Sequence, residues 1–226
     1  MIKKLHIPFL EIIHENNDYI VVNKTAGLIS EKSPFEDCSV EDQVFNHILK
    51  KKPKPYIGVI HRLDRVTSGV LVFAKKKSIL VAFNTLFSSR KVQKTYLAIV
   101  KKKPEKNKGN LMNFLVKNTL EKRSEVFQSK SKDSLEASLS YKVIGKNNFG
   151  YLLEVKPKTG RFHQIRVQLA HIGLPIIGDE KYGSNKDYIP LSICLHAWKL
   201  TYQDAESKNI KTFEAPPPKN AFWTFK

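Results

Sequence analysis

HRLDRVTSGVLVFAK, residues 61–75, sets a polar segment with opposed charges directly against an apolar run. Val70–Ala74 is bounded by Gly69 and Lys75, the pattern of a short buried strand, and Ile57–Ile60 supplies another just upstream. The residues between them form a polar loop held by rigid neighbours, the usual setting for a site. Asp64 stands between Arg62 and Arg65, and cations that close favour its ionised, potentially nucleophilic form. Read locally, Asp64 with Thr67 and Ser68 serves equally well to shape a turn while the arginines sit in solvent.

Outward from this stretch, strand-like runs recur at Tyr19–Asn23, Gln93–Val100, Leu111–Lys117, Leu135–Val143, Gly150–Lys156 and Leu191–Tyr202. Gly145–Gly150 reads as a hairpin loop, and Lys101–Gly109 and Ser129–Ser134 as loops within one domain. Three helices are expected: Val40–Lys50 capped by Ser39, Ser78–Phe87, and Arg161–Ile172. In the last, Phe162, Ile165, Leu169 and Ile172 span a stripe of roughly 80°, with Arg166 about 40° beyond its edge. Many strands, short connections and few helices predict an α+β fold with a mixed, mainly antiparallel central sheet and a few flanking helices.

The 226 residues carry 39 Lys+Arg against 21 Asp+Glu, a formal charge of +18, enough to attract a polyanion. No run approaches a membrane span, and Met1 to Ile13 lacks the features of a secretory signal. Cys38 and Cys194 form no disulfide framework, which fits a reducing cytosol. No phosphate-binding Gly-x4-Gly-Lys, dinucleotide fingerprint, His-Glu-x-x-His or Gly-x-Ser-x-Gly occurs. The seven histidines are dispersed, so metal-dependent chemistry is not expected.

A second segment, TGRFHQIRVQLAHIGLPIIGDEKYG (159–183), places Thr159-Gly160 at the opening of the third helix, where its amides and Arg161 suit a phosphate. Arg166 at the core margin needs a partner, because an unpaired buried charge is costly.

Taken together in this order, HRLDRVTSGVLVFAK, KTYLAIV (94–100) and the 159–183 segment resemble the RluA-type RNA pseudouridine synthases. IIHENNDYIVVNKTAGLIS (12–30) is similar to that family's opening strand and Asn-Lys-Pro-Ala-Gly turn, and LSICLHAWKL (191–200) with FEAPPP (213–218) to its closing strand and tail. Departures are Thr25 for proline, Ile29-Ser30-Glu31 for a more apolar run, and Gln168 for histidine. The resemblance implies a single pseudouridine synthase domain over 1–226, with its core at about 12–218 and no S4-type RNA-binding domain.

It also implies a cofactor-free isomerisation of uridine in tRNA or rRNA: C1′–N1 breaks, the base turns, and C1′ bonds to C5. Asp64 matches the essential aspartate, which attacks the nucleoside or stabilises an elimination intermediate. Arg166 matches its arginine partner, and Tyr96 the tyrosine that stacks on uracil and moves a proton. Arg62 is the candidate to fill the space of a flipped base. Arg65 joins it on the RNA side, while His61, Arg161, His163 and Gln164 support the loop or contact phosphates. The expected partner is RNA, acted on by a cytoplasmic monomer without an obligate protein partner. The rival reading is a catalytically idle RNA-binding or assembly factor on the same fold, which predicts decay of Asp64, Tyr96 or Arg166. A DNA-binding regulator has only the charge in its favour.

Overall fold

The computed structural model describes residues 9–185, 187–204 and 207–225. Its first half contains β1 (Glu11–Glu15), β2 (Tyr19–Lys24), α1 (Val40–Leu49), β3 (Gly58–Val59), β4 (Ser68–Ala74), α2 (Lys77–Ser88) and β5 (Val92–Val100). There follow β6 (Lys108–Asn118), β7 (Arg123–Phe127), β8 (Leu135–Lys146), β9 (Tyr151–Pro157), α3 (Gln164–His171), β10 (Leu195–Gln203) and β11 (Ile210–Glu214). The strands join in one sheet of order β1-β2-β4-β10-β5-β9-β8-β6-β7, with β3 against β4 and β11 against β10. Every pairing is antiparallel except β4 with β10, so the α+β expectation holds.

The apolar runs of β2 and β4 follow from helices on both faces of the sheet. Ile20, Val22, Leu71 and Phe73 pack under Val40, Val44 and Ile48 of α1. Tyr19, Val21, Val70 and Val72 face the other way, toward Phe83 of α2. A strand buried on both sides has no polar face to alternate with. Ser39 caps α1 in a reciprocal box with Asp42, as its position before the apolar run predicts. The hairpin loop is observed between β8 and β9, where Asn147 N–H reaches Gly150 O.

Three strands are absent from the sequence reading: β1, β7 and β11. Each is five residues long and carries a charged residue at one or both ends, so its pairing comes from a longer neighbour and not from its own apolar content. Leu191–Ile193 lies ahead of β10, and β6 begins inside the expected Lys101–Gly109 loop. The third helix departs most. It starts at Gln164, not Arg161, because His163 takes a left-handed conformation (φ 51°) that interrupts helical winding. Phe162 and Ile172, expected in its apolar stripe, are each 38% exposed, whereas Gln164 through Leu169 are all buried. From Gln164 to Leu169 the helix is enclosed, whereas His171 at its end is exposed.

Where β4 and β10 run parallel, Gly69 pairs with Ala197 at φ +117°, and a Cβ there would fall 2.2 Å from Ala197 O. Gly69→Ala should therefore destabilise the protein by at least about 2 kcal/mol, read as a lowered urea midpoint with unchanged m-value. An unchanged midpoint would show that the two strands are not this close.

Candidate active site

Residues 61–67 run from β3 into β4, and the β2–α1 connection holds them from beneath. Lys24, 1% exposed, donates from Nζ to the carbonyls of Thr25 (3.0 Å), Arg65 (3.0 Å) and Thr67 (2.8 Å). Burial, offset in part by Asp64, pushes this ammonium down to about 7. Three carbonyl acceptors nevertheless require three N–H donors, which only the charged form possesses. Gly27 N–H adds a bond to Arg65 O (2.8 Å), and Ser30 Oγ both donates to Leu63 O (2.9 Å) and accepts from Leu63 N–H (3.0 Å). Thr67 N–H closes a turn onto Asp64 O at 3.0 Å. The loop is thus a turn, as its local chemistry allows, and one whose tip is rigidly placed.

The opposite wall is the turn between β9 and α3. Gln164 organises it: Oε1 accepts from Thr159 Oγ1 (2.7 Å) and Arg161 N–H (3.0 Å), and Nε2 donates to Ser138 O (3.0 Å). Those bonds use the Arg161 amide that the sequence reading reserved for a phosphate, and Gln164 itself is spent within the protein. Arg166, 5% exposed, lies deeper than the core margin. Its Nε and Nη2 donate to both oxygens of Asp179 at 2.7 and 2.8 Å, and its Nη1 donates to Asp64 Oδ2 at 3.2 Å. Burial opposes the charge on Arg166, but the two carboxylates more than reverse that and hold its pKa above the ordinary value.

Tyr96 on β5 and Leu195 at the head of β10 line the same cleft, of about 780 Å³, together with Asp64 and Arg166. Burial and the nearby Asp64 charge push the Tyr96 phenol well above its usual value, so it is a neutral group at physiological pH. His61 and His163 also stay neutral. Burial, and secondarily Lys94, pushes His61 down to about 3, and its Nε2 accepts from Val72 N–H (3.2 Å). Burial, and secondarily Arg166, takes His163 to about 3. His163 Nδ1 meets the Tyr182 hydroxyl at 3.0 Å, and Nε2 stands 3.8 Å from Asp64 Oδ2. Both imidazoles are thus bonded within the protein.

Arg62 and Arg65 stand at the rim, tied to Glu31 and Glu36 of the β2–α1 connection. Arg161 lines the cleft and donates from Nε to Glu136 O. Among the described residues, seven Lys and Arg side chains line the cleft against two carboxylates, Glu31 and Asp64. Such a surface attracts a polyanion.

Asp179 was not singled out from sequence. Arg166 signalled that some carboxylate had to meet it, yet nothing in the spacing selects Asp179, 13 residues away, over its neighbour Glu180. Lys24 was visible only as part of the quoted N-terminal turn, and its burial depends on the sheet above it. Gln168 ties α3 to β6 and β8 through Asn113 Oδ1 (2.8 Å) and Ala137 O (3.1 Å). Among the described residues no helix is long and apolar enough to cross a membrane.

Comparison with known proteins identifies a family. A family model described as RNA pseudouridylate synthase matches residues 18–171. The tRNA pseudouridine synthase C of Vibrio parahaemolyticus is 35% identical over 211 residues, covering 85% of this chain and 84% of that protein. The ribosomal large subunit pseudouridine synthase D of Borreliella burgdorferi is 34% identical, covering 93% of this chain and 66% of that one. The structure of human RNA pseudouridylate synthase domain containing 4 shares the fold, with a TM-score of 0.76 at 24% identity, over 92% of this chain and 89% of that one.

Lys24→Met should leave three carbonyls unanswered, two of them in the 61–67 loop, and lower stability by about 3 kcal/mol, visible as a drop of roughly 6–12 °C in Tm. A Tm within a degree of the wild type would show that the ammonium does not hold the loop.

The histidines set a pH dependence. Their folded-state pKa values lie below the unfolded 6.5, so the unfolded chain binds the extra protons and stability is lost as pH falls from 6.5 toward 3. Each contributes up to about 1.4 kcal/mol per pH unit in that window. Tm should fall between pH 6.5 and 4.5, and His61→Gln, which keeps an acceptor for Val72, should soften the fall. A flat profile over that range would contradict the buried neutral rings.

Proposed function

This chain belongs to the RNA pseudouridylate synthase family, and we propose that it isomerises specific uridines in tRNA or ribosomal RNA with Asp64 as the reacting carboxylate. The observation that carries the reading is Asp64 itself, bonded to a guanidinium that Asp179 has already fixed, in a cationic cleft beside Tyr96. A carboxylate so held needs no reorientation when the sugar arrives.

In the proposed reaction the C1′–N1 bond breaks, the detached base turns, and C5 bonds to C1′. The C5 proton leaves and N1 takes one up, so the product is an isomer of the substrate. Asp64 acts at the sugar, either by attack on it or by stabilising an elimination intermediate. Tyr96 stacks against the uracil, and because its phenol is neutral it enters proton transfer as a donor first. Arg166 is a positioning residue for Asp64. Arg62, exposed at the rim, takes the gap left in the RNA by the flipped base, exchanging Glu31 for a stacking surface. Arg65, and Arg161 on the opposite wall, meet the backbone. His61, His163 and Gln164 keep the two walls in place. The chain is read as one catalytic domain with its core at about 12–218, which the continuous sheet supports. Both tRNA and rRNA are carried forward as substrates, because the relatives' names divide between them.

The test uses tRNA and rRNA transcripts labelled with 5-tritiated uridine. The wild-type protein should release tritium from at least one of them. Asp64→Asn should reduce release to background while keeping its fold and its affinity for the same RNA. Release by Asp64→Asn at near the wild-type rate would remove Asp64 from the chemistry. RNA binding by the wild type with no release would favour the idle-binder reading.

A further inference from the structure

Most cations lining the cleft are answered from within the protein. Arg62, Arg65 and Arg166 each meet a carboxylate, Lys32 pairs with Asp42 at 3.2 Å, and Arg161 donates to a carbonyl. Lys117 is exposed and rests over the Phe162 ring, 4.9 Å from its centroid. Lys94 has none of these. It is half-buried, and among the described residues no carboxylate lies within 4.0 Å of its ammonium; burial lowers its pKa with no partner to raise it. A cation taken partly out of water without an anion is a standing cost to the fold, and such costs cluster where a ligand will answer them.

Its surroundings suit one kind of ligand. Lys94 is two residues from Tyr96 on β5, so both side chains leave the same face of the strand, about 7 Å apart along it. Gly160 lies across from it, where a Cβ would come within 3.2 Å of Nζ, so the missing side chain leaves the ammonium its room. His61, the neighbouring titratable ring, is neutral and neither competes with the ammonium nor compensates it. Among the described residues the ammonium has no hydrogen-bond or ion-pair partner, and RNA brings anions.

We propose that Lys94 anchors a backbone phosphate of the nucleotide that enters the cleft, a binding role that rests on reading the cleft as the site of the target nucleotide. A base lying on Tyr96 then carries its own backbone over Lys94, and the charge left open in the free protein closes on the phosphodiester.

The experiment measures binding of a fluorescent ten-nucleotide oligouridylate to the full chain by anisotropy as salt is raised. The proteins are the wild type, Lys94→Met and Lys94→Gln. Both variants should bind about tenfold more weakly at low salt, and the slope of log affinity against log salt should shrink by about 0.7, the loss of one phosphate contact on a single strand. Both should melt no lower than the wild type, because a desolvated, unpaired cation has been removed. Weaker binding with an unchanged slope would overturn the proposal, since the ammonium would then meet a neutral group. A lower Tm in both variants would overturn it in favour of a structural lysine. The tritium assay run alongside separates the two readings. Lys94-dependent binding without isomerisation by the wild type would sink the reaction and leave the anchor, whereas isomerisation with Lys94-independent binding would sink the anchor alone.

Discussion

Arg166 is shared between two carboxylates, and the rest of the site is arranged around that sharing. Asp179, 1% exposed, takes Nε and Nη2 in a two-point clamp, which uses the planar fork of the guanidinium and leaves Nη1 aimed at Asp64. A lysine could not do both, because a point charge does not hold an orientation. The clamp also explains why a helix so deeply buried carries an arginine at all. Without Asp179, the charge would be too costly at 5% exposure, and without Arg166, Asp179 would be a buried anion with no answer.

The same economy operates on the other wall. Lys24 lies under the Asp64 loop as Arg166 lies beside it, so two buried cations balance Asp64 and Asp179. Lys24 works through backbone carbonyls and not through the carboxylate itself. It fixes where the loop is, while Arg166 fixes which way the Asp64 side chain faces. Ser30 and Gly27 add bonds at Leu63 and Arg65, so the loop is pinned on both sides of Asp64 by one connection, 24–30. That connection also bears Glu31, which holds Arg62 at the rim. Ile29-Ser30-Glu31 therefore belongs to the segment that supports and guards the loop.

The positive surface has two parts of different meaning. Rim arginines, tied to exposed glutamates, exchange partners at little cost because such pairs are weak in water. Inside the cleft the exchange is not symmetric: Arg166 is committed, burial holds His61 and His163 below their ordinary pKa, and Lys94 stands open as the one half-buried cation without a partner among the described cleft residues. A net charge of +18 attracts polyanions in general, whereas the arrangement of committed and open cations is local to the surroundings of Asp64.

Periodicity was enough for the central strands and for α1, because β2 and β4 are apolar on both faces and Ser39 announces the helix it caps. The two motifs, at 61–70 and 159–183, were legible for the same local reason, and so was the family. Sequence by itself thus determined the fold class, the loop that carries Asp64, and the expectation that Arg166 must find a partner. The family resemblance already paired Arg166 with Asp64; only the tertiary structure decided that Asp179 holds Arg166 as well, that burial lowers the pKa of His61 and His163, and that α3 begins after a left-handed His163. It also decided that β1, β7 and β11 are strands. Each of these depends on what surrounds a residue after folding: a carboxylate brought from 13 or 102 positions away, a loss of water around an imidazole, a neighbouring strand that supplies hydrogen bonds. Local pattern records a residue's own preference, and burial and pairing are properties of the company that the fold gives it.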